Sequence, residues 1–217
     1  MQERGRKTRA RLVEEMRRAI QRKGVSRASI GDVLKATGTK KGSLYFHFQD
    51  KDELALAALG EAGEDLHDFV ANALAQGATP DEQIAGFLRE VLALHRRSGF
   101  VGGCVFGNTS LEMADTDERY AQLMQEVFEG WAEQLAKVIA RGQDSGRLRP
   151  DVPAPALARQ LLASIEGGIM LARLSKSEDP LRDTLQSLWT LMGGEGDFNA
   201  KGPDDAVALD PGRGETS

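Results

Sequence analysis

Cysteine, histidine and long apolar runs are scarce in this 217-residue chain, and each scarcity removes a class of function. A single cysteine, Cys104, can form no internal disulfide, which suits a reducing cytosol. The three histidines, His47, His67 and His95, stand far apart in sequence and suggest no zinc site. No stretch approaches the roughly 18 uninterrupted apolar residues of a membrane span, and no apolar segment follows the basic N-terminus as a secretory signal would require. Alternation of β-branched residues is rare, which argues against strands. With no glycine-rich phosphate loop, paired-ligand metal motif or nucleophile–base pair, neither an enzyme nor a cofactor is expected.

What is present is helix, with apolar residues recurring at three and four positions. The first helix is expected from about Arg6 to Lys23, stopped by Gly24. Two short helices follow, from Ser29 to Gly38 and from Lys41 to Phe46. A longer one runs from Asp50 past Leu74, and another opens after Pro80. A glycine loop precedes a short helix from Cys104 to Met113, and a long core helix then carries Tyr120, Met124, Trp131 and Leu135. Two more helices carry Leu157 to Ile169 and Leu181 to Met192. The expected fold class is all-α. A small head is expected over residues 1–50 and a larger body over 51–194, and the Gly- and Asp-rich residues 195–217 read as a disordered tail.

Charge is divided unevenly along the chain. Residues 1–60 hold 14 basic and 7 acidic side chains, whereas the remainder holds 14 basic and 26 acidic ones. A basic head on an acidic body suits a head that meets a polyanion. The segment from Ser29 to Phe48 gives that head a form. Ser29 is a good N-cap, Ile30, Val33 and Leu34 give the first short helix a buried side, and Gly38 supplies a tight turn. Two short helices so joined make a helix-turn-helix, whose second helix enters the DNA major groove. Lys40 and Lys41 reach phosphates or guanine edges, Gly42 permits close backbone approach, and Ser43 bonds to phosphate or base. Tyr45 and His47 either contact DNA or pack, and Lys51 can meet phosphate at the next helix start.

Residues 41–54, Lys-Gly-Ser-Leu-Tyr-Phe-His-Phe-Gln-Asp-Lys-Asp-Glu-Leu, resemble the signature of the TetR family of repressors, and residues 29–38 match as well. The resemblance implies a three-helix head, a ligand-binding helical body and a dimer formed by the last two large helices. By position it implies DNA contacts from Ser29, Lys41, Gly42, Ser43, Tyr45, His47 and Lys51, an arm of Arg4, Arg6 and Lys7, and a phosphate contact from Thr8. Lys40 stands where the family usually has Ser or Pro, so Thr39 is expected to cap the recognition helix and Lys40 to add a contact.

In the body, the Gly-Gly-Cys entry at 102–104 resembles that of electrophile-sensing, NemR-like members and of AcuR-like regulators of small unsaturated acids. A helix N-terminus and nearby Arg96 and Arg97 would favour a thiolate. By the same resemblance, Arg173 takes the place of a lysine that partners the cysteine. Two readings stand for Cys104: a reactive sensor, or a small buried hydrophobe. Candidate pocket residues are Phe87, His95, Cys104, Phe106, Asn108, Met124, Phe128, Trp131, Met170 and Arg173, with His95 either a core residue or a polar anchor. Two glycines inside a helix, Gly167 and Gly168, cost about 1 kcal/mol each relative to alanine, which close helix approach would offset. Leu161, Ile165, Gly167, Gly168, Leu181, Leu185, Leu188 and Trp189 are therefore the expected dimer face.

The function expected is that of a cytosolic, homodimeric transcription regulator. It would be a repressor released from a palindromic operator by a small-molecule inducer or by modification of Cys104. The alternative is a non-catalytic ligand-binding dimer or adaptor with a vestigial head.

Overall fold

The computed structural model describes residues 2–199, and among these residues it contains nine α-helices and no strand. In chain order they are α1 (Gln2–Lys23), α2 (Ile30–Thr37), α3 (Lys41–His47), α4 (Lys51–Leu74), α5 (Pro80–Arg97), α6 (Val105–Met113), α7 (Glu118–Asp144), α8 (Ala154–Ser175) and α9 (Asp179–Leu191). No helix among the described residues is long and apolar enough to cross a membrane.

Local chemistry sets the ends of these helices. The Ser29 hydroxyl accepts from the Asp32 amide at 3.1 Å and so caps α2. Gly38 closes α2 at φ 65°, a left-handed conformation that glycine adopts without a Cβ penalty. The Asp50 carboxylate caps α4 through the Glu53 amide at 2.8 Å, and Glu53 reaches back to the Gln49 amide. Helix α1 begins four residues earlier than its apolar pattern suggests. Lys7 pairs with Glu3 one turn away, and Thr8 Oγ1 donates to the Arg4 carbonyl at 3.0 Å. Arg4, Arg6 and Lys7 therefore lie on a helix rather than on a free arm.

Two apolar cores are stacked end to end. In the head, Leu12, Met16 and Ile20 of α1 meet Val33, Leu44 and Phe48, together with Leu54, Ala58 and Leu59 of α4. Phe106, Tyr120 and Met124, from α6 and α7, complete that same core. In the body, α5, α7, α8 and α9 enclose Phe87, Leu88, Leu135, Ile139, Leu161, Ile165, Leu181 and Leu185. A division after residue 50 thus falls at the start of a helix whose first half belongs to the head core and whose second half packs in the body.

The expectation of disorder from residue 195 fails for its first five residues. Phe198 is 1% exposed and joins the body core. Its carbonyl accepts from Arg89 at 2.9 Å, its amide donates to Gln186 at 3.2 Å, and Trp189 Nε1 donates to the Glu195 carbonyl at 3.2 Å. Phe198 gives this polar run an apolar anchor, and the three hydrogen bonds satisfy its backbone. Residues 200–217 lie outside the described residues.

Candidate DNA-binding and ligand sites

Helices α2 and α3 form the helix-turn-helix. Arg11 of α1 steadies the turn by donating to the Thr37 carbonyl at 2.7 Å, and the Thr37 hydroxyl accepts from the Thr39 amide at 3.2 Å. Thr39 does not cap the recognition helix as expected. Lys40 occupies the cap position, and its side chain cannot accept a bond from the helix amides. Ser29, Lys40, Lys41, Gly42 and Tyr45 are exposed, and Ser43 is half-buried. Lys41 Nζ lies 5.7 Å from the Tyr45 ring centroid. Sequence reasoning passed over Phe46, which is 83% exposed on the same helix.

Two expected contacts are engaged internally. Lys51 Nζ donates to the Val25 carbonyl at 3.1 Å, which ties α4 to the turn after α1. His47 is half-buried, and its ring lies 3.8 Å from the position a Cβ on Gly5 would take, so it also packs α3 against α1.

Below the head lies a cavity of about 480 Å³, lined by α1 on one side and by α4, α5, α6, α7 and α8 on the others. Of the expected pocket residues, His95, Cys104, Phe106 and Trp131 line it. Phe87 stands behind Trp131, edge-on at 6.2 Å, and Phe128 stacks on the same indole at 6.1 Å. Met124 belongs to the head core, and Met170 points outward, 60% exposed. Asn108 and Arg173 are not in the lining. The Asn108 side chain donates to the Gly102 carbonyl at 2.7 Å and accepts from Arg173 at 3.0 Å, binding the glycine loop to α8. Missed were Phe69 and Leu66 of α4, Ile165, Glu166 and Ile169 of α8, and Arg17, Arg18 and Gln21 of α1. The α1 residues fall on its polar face, so no apolar pattern marks them.

The electrostatics of Cys104 run against a thiolate. The amide of Gly107 does approach Sγ, at 3.5 Å, as a helix N-terminus should. Burial nevertheless pushes the thiol far above its ordinary value, and the Glu166 carboxylate pushes it further. Arg96 is not available to offset this, because it forms a two-pronged ion pair with Glu178. Burial likewise raises the Glu166 carboxyl, partly opposed by a hydrogen bond from Cys104, and burial lowers His95, favouring a neutral ring.

The expected dimer residues are mostly inside one protomer. Leu161, Ile165, Gly168, Leu181, Leu185, Leu188 and Trp189 are all buried, because the apolar stripes of α8 and α9 first satisfy each other and the body core. A Cβ on Gly168 would lie 3.0 Å from Leu181 and 3.2 Å from Thr184, so the close approach this glycine permits is α8 to α9. Gly167 alone faces away, with nothing within 4 Å of its Cβ position.

Cavity and head are physically joined. Gln21 of α1 donates to the Gly103 carbonyl at 2.9 Å. At the far end of α6, the Glu112 carboxylate accepts from the amides of Val25 and Ser26, both at 2.8 Å, inside the turn that leads into α2. Tyr120 of α7 donates to Asp52 of α4 at 2.9 Å.

Residues 12–58 match the family model of bacterial regulatory proteins of the tetR family, and residues 80–188 match that of the tetracyclin repressor-like C-terminal domain. The HTH-type transcriptional repressor DhaR of Mycobacterium sp. (strain GP1) is 26% identical over 171 residues, covering 78% of this chain and 84% of its own. The transcriptional regulator AcuR of Cereibacter sphaeroides is 29% identical over 160 residues, 73% of each chain. A crystal structure of a TetR transcriptional regulator from Chloroflexus aurantiacus J-10-FL superposes with a TM-score of 0.81 at 32% identity, covering 88% of this chain and 96% of that one. With a helix-turn-helix head, a cavitied helical body and both halves matched, the chain belongs to the TetR family of DNA-binding transcription regulators.

Proposed function

We propose that this chain is a homodimeric repressor whose two heads grip a palindromic operator and release it when a small molecule fills the cavity. The observation that carries this reading is the cavity's position. Its lining includes α1 of the head and the first turn of α6, and α6 is bonded to the head at both ends through Gly103 and Glu112. A ligand lodged between α1 and α6 therefore cannot change their spacing without turning the helix-turn-helix. In a dimer that turn disturbs the separation of about 34 Å that two half-sites one DNA turn apart require. For a useful switch, the ligand must favour one state over the other by a few kcal/mol.

A reversible ligand is favoured over modification of Cys104, because the thiolate is disfavoured by burial and by Glu166. The dimer is assigned to the outward faces of α8 and α9, where Gly167, Leu171, Leu174 and Leu191 are not covered by the protomer. That stripe is offset from the buried leucines by about a quarter turn or more, as a helix serving two partners needs. DhaR is by name a transcriptional repressor, which supports repression as the direction of control.

Fluorescence anisotropy with DNA from upstream of the gene tests the reading. The parent is expected to prefer that DNA over a scrambled duplex, with affinity falling steeply as salt rises. Lys41→Ala should weaken binding to all sequences and reduce the salt slope by about 1. Equal affinity for scrambled DNA would favour the vestigial-head alternative.

A further inference from the structure

Taking the cavity as the inducer site, its polar atoms narrow the chemistry of what it holds. Buried donors and acceptors are rarely left without a partner, because an unsatisfied one costs its full desolvation. Trp131 Nε1 and Glu166 Oε1 are both buried without a hydrogen-bond partner among the described residues, and both residues line this cavity. One is a donor only, and the other is an acceptor when ionised. The surrounding wall is apolar, with Phe69, Phe106 and Ile169 contributing.

We propose that the cavity takes an uncharged, largely apolar molecule that carries both a hydrogen-bond acceptor, for Trp131 Nε1, and a hydrogen-bond donor, for Glu166 Oε1, as a phenol or aromatic alcohol does. A carboxylate ligand would set a second negative charge beside Glu166, and two of the three arginines in the lining are engaged: Arg17 pairs with Glu14 and Asp65, and Arg18 with Glu14 and Glu15. An ammonium ligand is a donor only and has no acceptor for the indole N–H. Gly107 makes room for the Glu166 carboxyl, because a methyl there would overlap Oε2. A volume of about 480 Å³ is within the range of small-molecule pockets and admits a two-ring body.

A matched set of probes separates these chemistries: 2-naphthol, 2-naphthoate and 2-naphthylmethylammonium, each titrated calorimetrically into the full chain. The naphthol is expected to bind about ten-fold tighter than either charged probe. Trp131→Phe, which keeps the ring, should weaken naphthol binding about five- to ten-fold, the loss of one hydrogen bond. Glu166→Leu should do the same, whereas Glu166→Gln, which keeps a carbonyl acceptor, should stay within about three-fold of the parent. Thermal melts of each variant separate a lost contact from a lost fold. Tighter binding of either charged probe, an unchanged affinity in folded Trp131→Phe, or no naphthol binding at all would overturn the proposal. Operator binding measured on the same preparation keeps the two readings apart: intact DNA binding without naphthol binding removes the ligand class alone.

Discussion

Cys104 begins α6 with its sulfur directed into the body, and its neighbours decide its chemistry. One backbone amide favours the thiolate, while burial and a carboxylate disfavour it more strongly. Alkylation by iodoacetamide at pH 8 should therefore run at least about ten-fold slower than that of free cysteine. Glu166→Gln, which removes the carboxylate, should accelerate it. A parent rate equal to that of free cysteine would show that the thiol opens to solvent and ionises normally. The local cue, a Gly-Gly-Cys helix entry, was legible in sequence. The opposing charge was not, because Glu166 lies 62 positions away and only packing brings it to the thiol.

At the scale of helices, neighbouring positions on α8 face different surroundings. Gly168 faces Leu181 and Thr184 of α9, whereas Gly167 faces outward. Gly168→Leu should lower stability by about 1–3 kcal/mol through overpacking, read as a shift in the urea midpoint at fixed protein concentration. Gly167→Leu meets no neighbour within the protomer, so with the dimer face proposed above its effect should appear as weaker self-association in sedimentation, with the protomer's helical signal retained. Loss of helical signal in Gly167→Leu would return that glycine to the protomer core. Helix existence and order were legible throughout, since periodicity and caps are local; Ser29, Gly38, Asp50 and Pro80 each mark a boundary found in the structure. The sides that α8 and α9 present were not legible. An apolar stripe shows that a face is buried, but not whether its own chain or a second copy buries it.

At the scale of the whole molecule, head and body meet around a shared helix through the apolar side chains of Phe106, Tyr120 and Met124 and a few polar contacts. Burial opposes ionisation of Glu112, but bonds from Ser26 and Val25 outweigh it and hold the carboxyl below its ordinary value of 4.5. A folded value below the unfolded one means that the contribution to stability is present above the unfolded value and lost as pH falls through the folded one. Melting temperature should therefore fall more steeply below pH 4.5 in the parent than in Glu112→Gln, which cannot titrate there. Parallel curves would mean that the clamp on the turn between α1 and α2 contributes nothing to the folded state. The shared helix α4 has a separate practical consequence. Ala58 and Leu59 complete the core of the helix-turn-helix well past residue 50, so a hybrid regulator cut at the end of the DNA-binding motif would inherit a head without its floor. Exchange of operator specificity between such proteins has to splice within α4, beyond Ala62, and carry matched replacements for Phe106, Tyr120 and Met124 from the recipient body.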